Sequence, residues 1–287
     1  MPLRDKSRGL QWICPIILSV ALLQNAALAQ PRGRQFGGRR ADFSQIDRSQ
    51  FPMWSTDEGF ADDVFTFVRI KTAPRWNQSS NRDWTADYPD ADFYFSWRLH
   101  QLTSIQVNPN PITLELTDPK LVDYPFVFLA APQSVDWTPE EVVALRRYLL
   151  NGGFMMCDEF FGSIQWNLFH EQLKRLFPEF EPVELSLSHE IFHTVYDFDF
   201  VPQVTAIHFW QRYGVTYHPV AGTEYDHAPH FFGLHDAHGR MMMLICHNND
   251  LQDGWEREGE DKEFFERFSV KQSYPMGINI VTYALSH

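Results

Sequence analysis

The sequence predicts a single α/β domain, a mainly parallel sheet covered by helices on both faces, and three observations carry that prediction. Apolar, β-rich runs alternate with segments of helical spacing: "VFTFVRI" (64–70), "YPFVFLA" (124–130) and "FMMCD" (154–158) are each followed by one. The stretch "TPEEVVALRRYLLNGGFMMCD" runs a helix into a strand through Gly152-Gly153. No internal repeat and no linker after residue 60 divides the chain.

Taken in order, residues 1–29 read as a secretory signal peptide. Arg4, Lys6 and Arg8 are its basic start, Trp12 to Leu23 its apolar stretch, and Ala27-Leu28-Ala29 its cleavage site. Residues 30–60 begin with "QPRGRQFGGRRA" and read as an Arg/Gly-rich flexible linker, leaving 61–287 as the domain. Cys14 follows bulky Ile13 and is no lipoprotein cysteine. No later run is long enough to cross a bilayer, so no membrane span is expected in the mature chain. The chain is expected in the periplasm or secreted.

Helical spacing over "ADFYFSWRLHQLT" (91–103) follows the first strand, and "SIQVN" and "ITLEL" flank "NPNP" as short strands. Thr138-Pro139-Glu140-Glu141 opens a helix with a capping hydroxyl, a proline in the first turn and acids facing the dipole. It ends at Gly152-Gly153, where left-handed geometry costs least. After "FMMCD", Gly162 leads into the helix "IQWNLFHEQLKRLF". "HFFGLH" and "RMMMLICH" form a hairpin through Asp236-Ala237-His238-Gly239, and helices near 260–268 and 275–286 close the chain.

The net charge of −13 repels phosphate backbones and anionic lipid, so no nucleic-acid partner is expected. Beyond the signal only Cys157 and Cys246 remain, each near the end of an apolar run. They read as buried thiols, with one disulfide open to them if their strands are neighbours.

In an open α/β sheet, ligands bind beyond the carboxyl ends of the strands. Segments 71–90, 131–137, 158–163 and 247–259 fall there. Asp158, Glu159 and His247 are the catalytic candidates, since a carboxylate and an imidazole within reach act as base and acid or hold a metal together. Asp87, Asn248, Asp250 and Glu256 add oxygen ligands. The plainer reading is that such residues cap helices and brace loops. Trp76, Trp84, Tyr88 and Trp255 are loop aromatics whose rings can stack on sugar or pack as lids, whereas Phe65, Phe67, Phe126 and Phe128 belong to the core. Arg98 either binds an anion or pairs with Asp92.

Two motifs compete for attention. "HEIFH" (189–193) has the His-Glu-x-x-His spacing of a zinc peptidase, which needs a sustained helix. "SLSHEIFHTVYDFDFVP" allows little more than two turns before Pro202; Tyr196 stands where a metzincin has glycine, and Asp199 where it has a third histidine. A zinc site is not expected. "NDLQDGWEREGE" touches the calcium-loop template through Asn249, Asp253, Gly254 and Glu260, but Leu251 breaks it.

Five segments carry a resemblance: "DYPDADFYFSWRLHQLTSI", "LTDPKLVDYPFVF", "LRRYLLNGGFMMCDEFFG", "HNNDLQDGWEREGE" and "YPMGINIVTYALSH". Together they resemble a bacterial domain-of-unknown-function family, numbered 4159, over roughly residues 62–287. Its members have a glutamine-amidotransferase-like domain, sometimes fused to envelope membrane proteins. The trehalose-utilisation-like proteins are more distantly similar. The resemblance implies a class I glutamine-amidotransferase-like, flavodoxin-like fold, but no established activity. That chemistry needs a cysteine on the sharp turn after the "GG"-strand segment and a histidine after a later strand. Here Asp158, followed by Glu159, occupies the elbow, and only His247 matches. The function expected is therefore a non-catalytic ligand-binding or accessory module of the cell envelope, with an envelope protein or a small carbohydrate as partner. The alternative is a hydrolase or isomerase on a sugar-like or amide substrate, using Asp158, Glu159 and His247 with or without metal.

Overall fold

Alternation of apolar and polar residues decides which face of a strand is buried, and here most strands are apolar on both faces. Such strands belong in the middle of a sheet covered on two sides. The computed structural model describes residues 46–57, 59, 63–73, 83–219 and 227–287. The expected signal peptide, the linker up to residue 45 and Trp76 lie outside them.

The sheet has seven strands: β1 (Val68–Lys71), β2 (Ile112–Glu115), β3 (Phe126–Ala130), β4 (Phe154–Phe160), β5 (Val183–Glu184), β6 (His230–His235) and β7 (Met241–His247). Their order is β2-β1-β3-β4-β7-β6-β5. β2, β1, β3, β4 and β7 run parallel, while the expected β6–β7 hairpin and β5 form an antiparallel edge. A mostly parallel sheet with helices is thus in place.

Two cores lie on its two sides. On one, α1 (Asp90–Leu102) and α7 (Tyr274–Ser286) cover Phe67, Phe128, Met156, Leu244 and Cys246. On the other, α2 (Pro139–Leu150) and α3 (Gly162–Leu176) cover Val127, Leu129, Met155, Cys157 and Ile245. Cys157 and Cys246 therefore sit on neighbouring strands but opposite faces, and both thiols are free. Strand adjacency is not enough for a disulfide when the Cβ vectors diverge.

The helix after Thr138 forms as its sequence requires: the Thr138 hydroxyl accepts from Glu141 N, and the Glu141 carboxylate accepts from Thr138 N at 2.8 Å. At its far end Gly152 has φ +106°, and a Cβ on Gly153 would lie 2.4 Å from the Tyr148 ring. The two glycines answer two different demands, a left-handed turn and a close approach.

Within the expected linker, the described residues 46–57 include packed side chains. Phe51 is buried and stacks on Phe93 at 4.3 Å, the Arg48 guanidinium lies over the same ring, and Trp54 Nε1 donates to Val107 O at 2.7 Å. Aromatic residues within this short segment supply the burial that repays its ordering. After α4 (Ile207–Tyr213) and the hairpin come two short helices, α5 (Asp253–Glu256) and α6 (Lys262–Phe264). A π-helical stretch, Phe265–Ser273, joins α6 to α7. No helix among the described residues is long and apolar enough to cross a membrane.

Candidate functional site

Arg69 organises the strand ends. It is a charged residue in an apolar strand, fully buried, and such a residue must be paired. Its Nε donates to both oxygens of buried Asp92 on α1 at 3.0 Å. Its Nη1 donates to Trp84 O and Ala86 O at 3.2 and 2.9 Å, fastening the loop that leads to Asp87. Its Nη2 also reaches Gln252 Oε1 at 3.2 Å. Gln252, fully buried, donates from Nε2 to Glu159 Oε2 at 2.6 Å, and its backbone N–H donates to Asp158 Oδ2 at 3.1 Å. One connected polar network therefore joins the ends of β1, β4 and β7.

On top of this network lies a cluster of carboxylates. Asp87, Asp253 and Glu256 each offer an oxygen, and these oxygens all lie within 4.8 Å of one another. Asp253 also accepts from Ile207 N at 2.8 Å, and Arg257 Nε lies 2.6 Å from Glu256 and 3.8 Å from Asp253. Asp250 stands one turn before Asp253, is 2% exposed, and its Oδ1 has no hydrogen-bond partner among the described residues.

Burial drives the acidity of these groups, because it disfavours the charged form. It raises Asp158 to about 7 against backbone hydrogen bonds that pull the other way. It raises Asp253 to about 8, with the Asp87 charge adding to the effect. Asp250 is pushed well up by burial and then by Asp253, and Glu256 by burial and then by Asp87. Both cysteine thiols are also held well above their ordinary range by burial, which makes them poor nucleophiles.

The predicted residues divide sharply. Asp158 and Glu159 meet through Gln252, and Asp87, Asp250 and Glu256 gather beside them with Asp253. His247 does not join them. Asp158 pairs in register with Ala130, whose side faces α1 and α7, whereas His247 pairs with Phe160 on the α2–α3 side. The sheet lies between the two side chains. His247 packs on Phe160 at 4.9 Å and Trp166 at 5.2 Å, with Nε2 at 3.2 Å from Gly162 O. The left-handed residue at the irregular end of β4 is Glu159, at φ +67°, rather than Asp158.

Three further expectations are corrected. Trp255 is a core residue, fully buried and 4.3 Å from Phe95, because α5 turns it inward from a loop whose acidic composition suggested solvent. Arg98 pairs with Glu258, which also accepts from Tyr274 OH, and not with Asp92, which belongs to Arg69. Asn248 braces the turn, accepting from Gly162 N at 3.0 Å and donating to Ala228 O at 2.8 Å. Asn249 does the same for Val204 N and Pro202 O. Among the loop aromatics, Trp84 and Tyr88 pack against each other at 5.6 Å.

Gln252 and Arg69 are not among the sequence candidates, and Asp253 enters there only through the broken calcium-loop pattern. Only Arg69 left a signal, as an unexplained charge within "VFTFVRI".

The pentad at 189–193 is not helical. It forms one 3-10 turn, Glu190–Phe192; His189 caps it, accepting from Ile191 N through Nδ1, and His193 leaves it at φ −135°. His193 Nδ1 lies 3.0 Å from Asp197 and Nε2 2.7 Å from Leu187 O.

Compared with known proteins, residues 66–285 match the profile described as "Domain of unknown function (DUF4159)", and the chain belongs to that family. The curated proteins offer no match.

Proposed function

We propose that this member of the family is a non-catalytic ligand-binding or accessory module of the cell envelope, exported by its signal peptide. Its binding face is the polar strand-end surface of an amidotransferase-like fold. One observation carries the reading: the irregular end of β4 holds a glutamate in left-handed backbone, tied to Gln252, where that chemistry requires a reactive thiol. The two cysteines are wholly buried. The remaining polar groups of the face are buried and interconnected, as expected of a surface that fixes a ligand's orientation.

The test uses the purified chain against a panel of sugars and amides, following melting temperature and ammonia release from glutamine. The reading expects one ligand class to raise the melting temperature, with loss of the effect in Trp84→Ala and no ammonia released. Ammonia release, or covalent capture of a glutamine-like electrophile by Cys157 or Cys246, overturns it.

A hydrolase or isomerase is the second reading, favoured by the Glu159 backbone. A non-glycine residue held at positive φ costs of order 1–3 kcal/mol, and such strain collects at functional turns. In this version Glu159 is the acid–base group, with Asp158 beside it and without His247.

A further inference from the structure

We propose that Asp87, Asp253 and Glu256, backed by Asp250, form a site for a hard divalent cation such as calcium. The three carboxylates come from two separated segments, the loop before α1 and the turn of α5, and each segment is fixed by the buried network beneath it. Such convergence is costly: like charges are brought together away from water, with Arg257 the adjoining cation. A cation among the oxygens offsets that cost.

The second observation is Asp250. Its Oδ1 is buried and lacks a partner among the described residues. Three residues before Asp253 and within the influence of the Asp253, Glu159 and Asp87 charges, it lies beside the cluster. A buried carboxylate oxygen without a donor is costly, and a coordinated ion or its water would satisfy it.

The donor set fixes the class of ion. The three clustered ligands and Asp250 behind them are all carboxylates, with neither thiolate nor imidazole among them, which suits calcium, manganese or magnesium rather than zinc. Calcium accepts oxygen ligands in flexible geometry, whereas magnesium demands a near-octahedral shell and dehydrates reluctantly, so calcium is expected to bind the more tightly. Of the calcium-loop pattern in the sequence, only Asp253 belongs to the cluster. Asn249 is engaged with Val204 and Pro202, and Glu260 pairs with Arg257 on the surface.

The inference shares a location with the ligand-binding reading and can outlive it: a chain that takes up calcium but no organic compound keeps this one alone. The experiment is calorimetric titration of the purified, EDTA-treated full chain with calcium, magnesium and zinc, beside Asp87→Asn and Asp253→Asn. One calcium is expected per chain, with Kd between about 10⁻⁷ and 10⁻³ M and magnesium weaker. Asp87 is half-buried, so Asp87→Asn is expected to fold, to bind calcium at least tenfold more weakly, and to melt no lower than wild type in EDTA, since a repelling charge is gone. In calcium it melts lower than wild type. Asp253→Asn tests the same point; should the loss of its contact with Ile207 N unfold it, Asp87→Asn decides. No calcium uptake at millimolar concentration, equal affinity in Asp87→Asn, or a preference for zinc would overturn the proposal.

Discussion

The turn at 189–193 and the loops at 83–92 and 250–257 make an instructive pair. The first carries a metal-site motif, two histidines at helical spacing with a glutamate between them. The second carries no motif, its carboxylates coming from opposite ends of the chain. In the fold the relation inverts. His189 and His193 flank a single 3-10 turn whose buried residues, Ile191 and Phe192, anchor it in the core. Asp87, Asp253 and Glu256 instead bring oxygens within 4.8 Å of one another. A motif specifies ligand geometry only through the helix it presupposes, and convergence made by tertiary structure leaves no spacing to read.

The largest expected effect falls on the platform beneath the carboxylates. Arg69→Met leaves Asp92 charged, buried and unpaired, which should destabilise the fold by roughly 3–5 kcal/mol in urea denaturation. Arg69→Met with Asp92→Leu removes both charges and should recover most of that stability. It should not recover calcium binding, because Trp84 O and Ala86 O lose the guanidinium that positions Asp87. If the double variant binds calcium as wild type does, the cluster does not depend on the network, and the contrast with the 189–193 turn weakens.

Much of the scaffold on which this rests is readable in the residues themselves. The capping box at Thr138 and the left-handed exit at Gly152 are local interactions, so sequence alone locates α2. The apolar runs of β3, β4 and β7 are continuous enough to mark central strands. The site is less legible. Sidedness at a strand end depends on register: Cys157 pairs with Ile245 on the α2–α3 side, so alternation puts Asp158 on one face and His247 on the other although both lie near the ends of adjacent strands. Trp255 sits among acids that suggest solvent, yet a single turn of helix buries it while leaving Asp253 and Glu256 with the cluster. Phe51 and Trp54 lie in a segment whose arginines and glycines read as linker, although it also carries large aromatic rings.

A second, somewhat smaller effect concerns pH in the metal-free protein. Burial raises Asp158 from 3.8 to about 7, so the folded chain keeps a proton that the unfolded chain has released. Its contribution to stability is full below pH about 4 and is lost as pH rises to about 7. The loss is at most roughly 4 kcal/mol, and no further loss follows above that window. Asp158→Asn does not titrate there. Its stability curve should be flatter than that of wild type, and the variant should gain relative to wild type as pH rises. Parallel curves for the two proteins would mean that Asp158 is ionised in the fold, and the contrast between protonated and cation-holding carboxylates would lose one side.

The smallest effect is expected where the motif is strongest. His189→Ala removes a side-chain cap on Ile191 N, a change that costs about 1 kcal/mol at helix starts and less on one 3-10 turn. His193→Ala removes contacts with Asp197 and Leu187 O on an exposed side chain, where surface changes usually stay within about 0.5 kcal/mol. The double variant should therefore melt within a few degrees of wild type and bind calcium unchanged, because neither imidazole is among the clustered ligands. Zinc is the sharper probe. A peptidase-type site requires both imidazoles and a third ligand on one ion, but the His193 ring lies between Asp197 and the backbone of Leu187. Stoichiometric zinc in the wild type that disappears in the double variant would show that this turn rearranges into a metal site. The spacing would then have been the better guide than the fold.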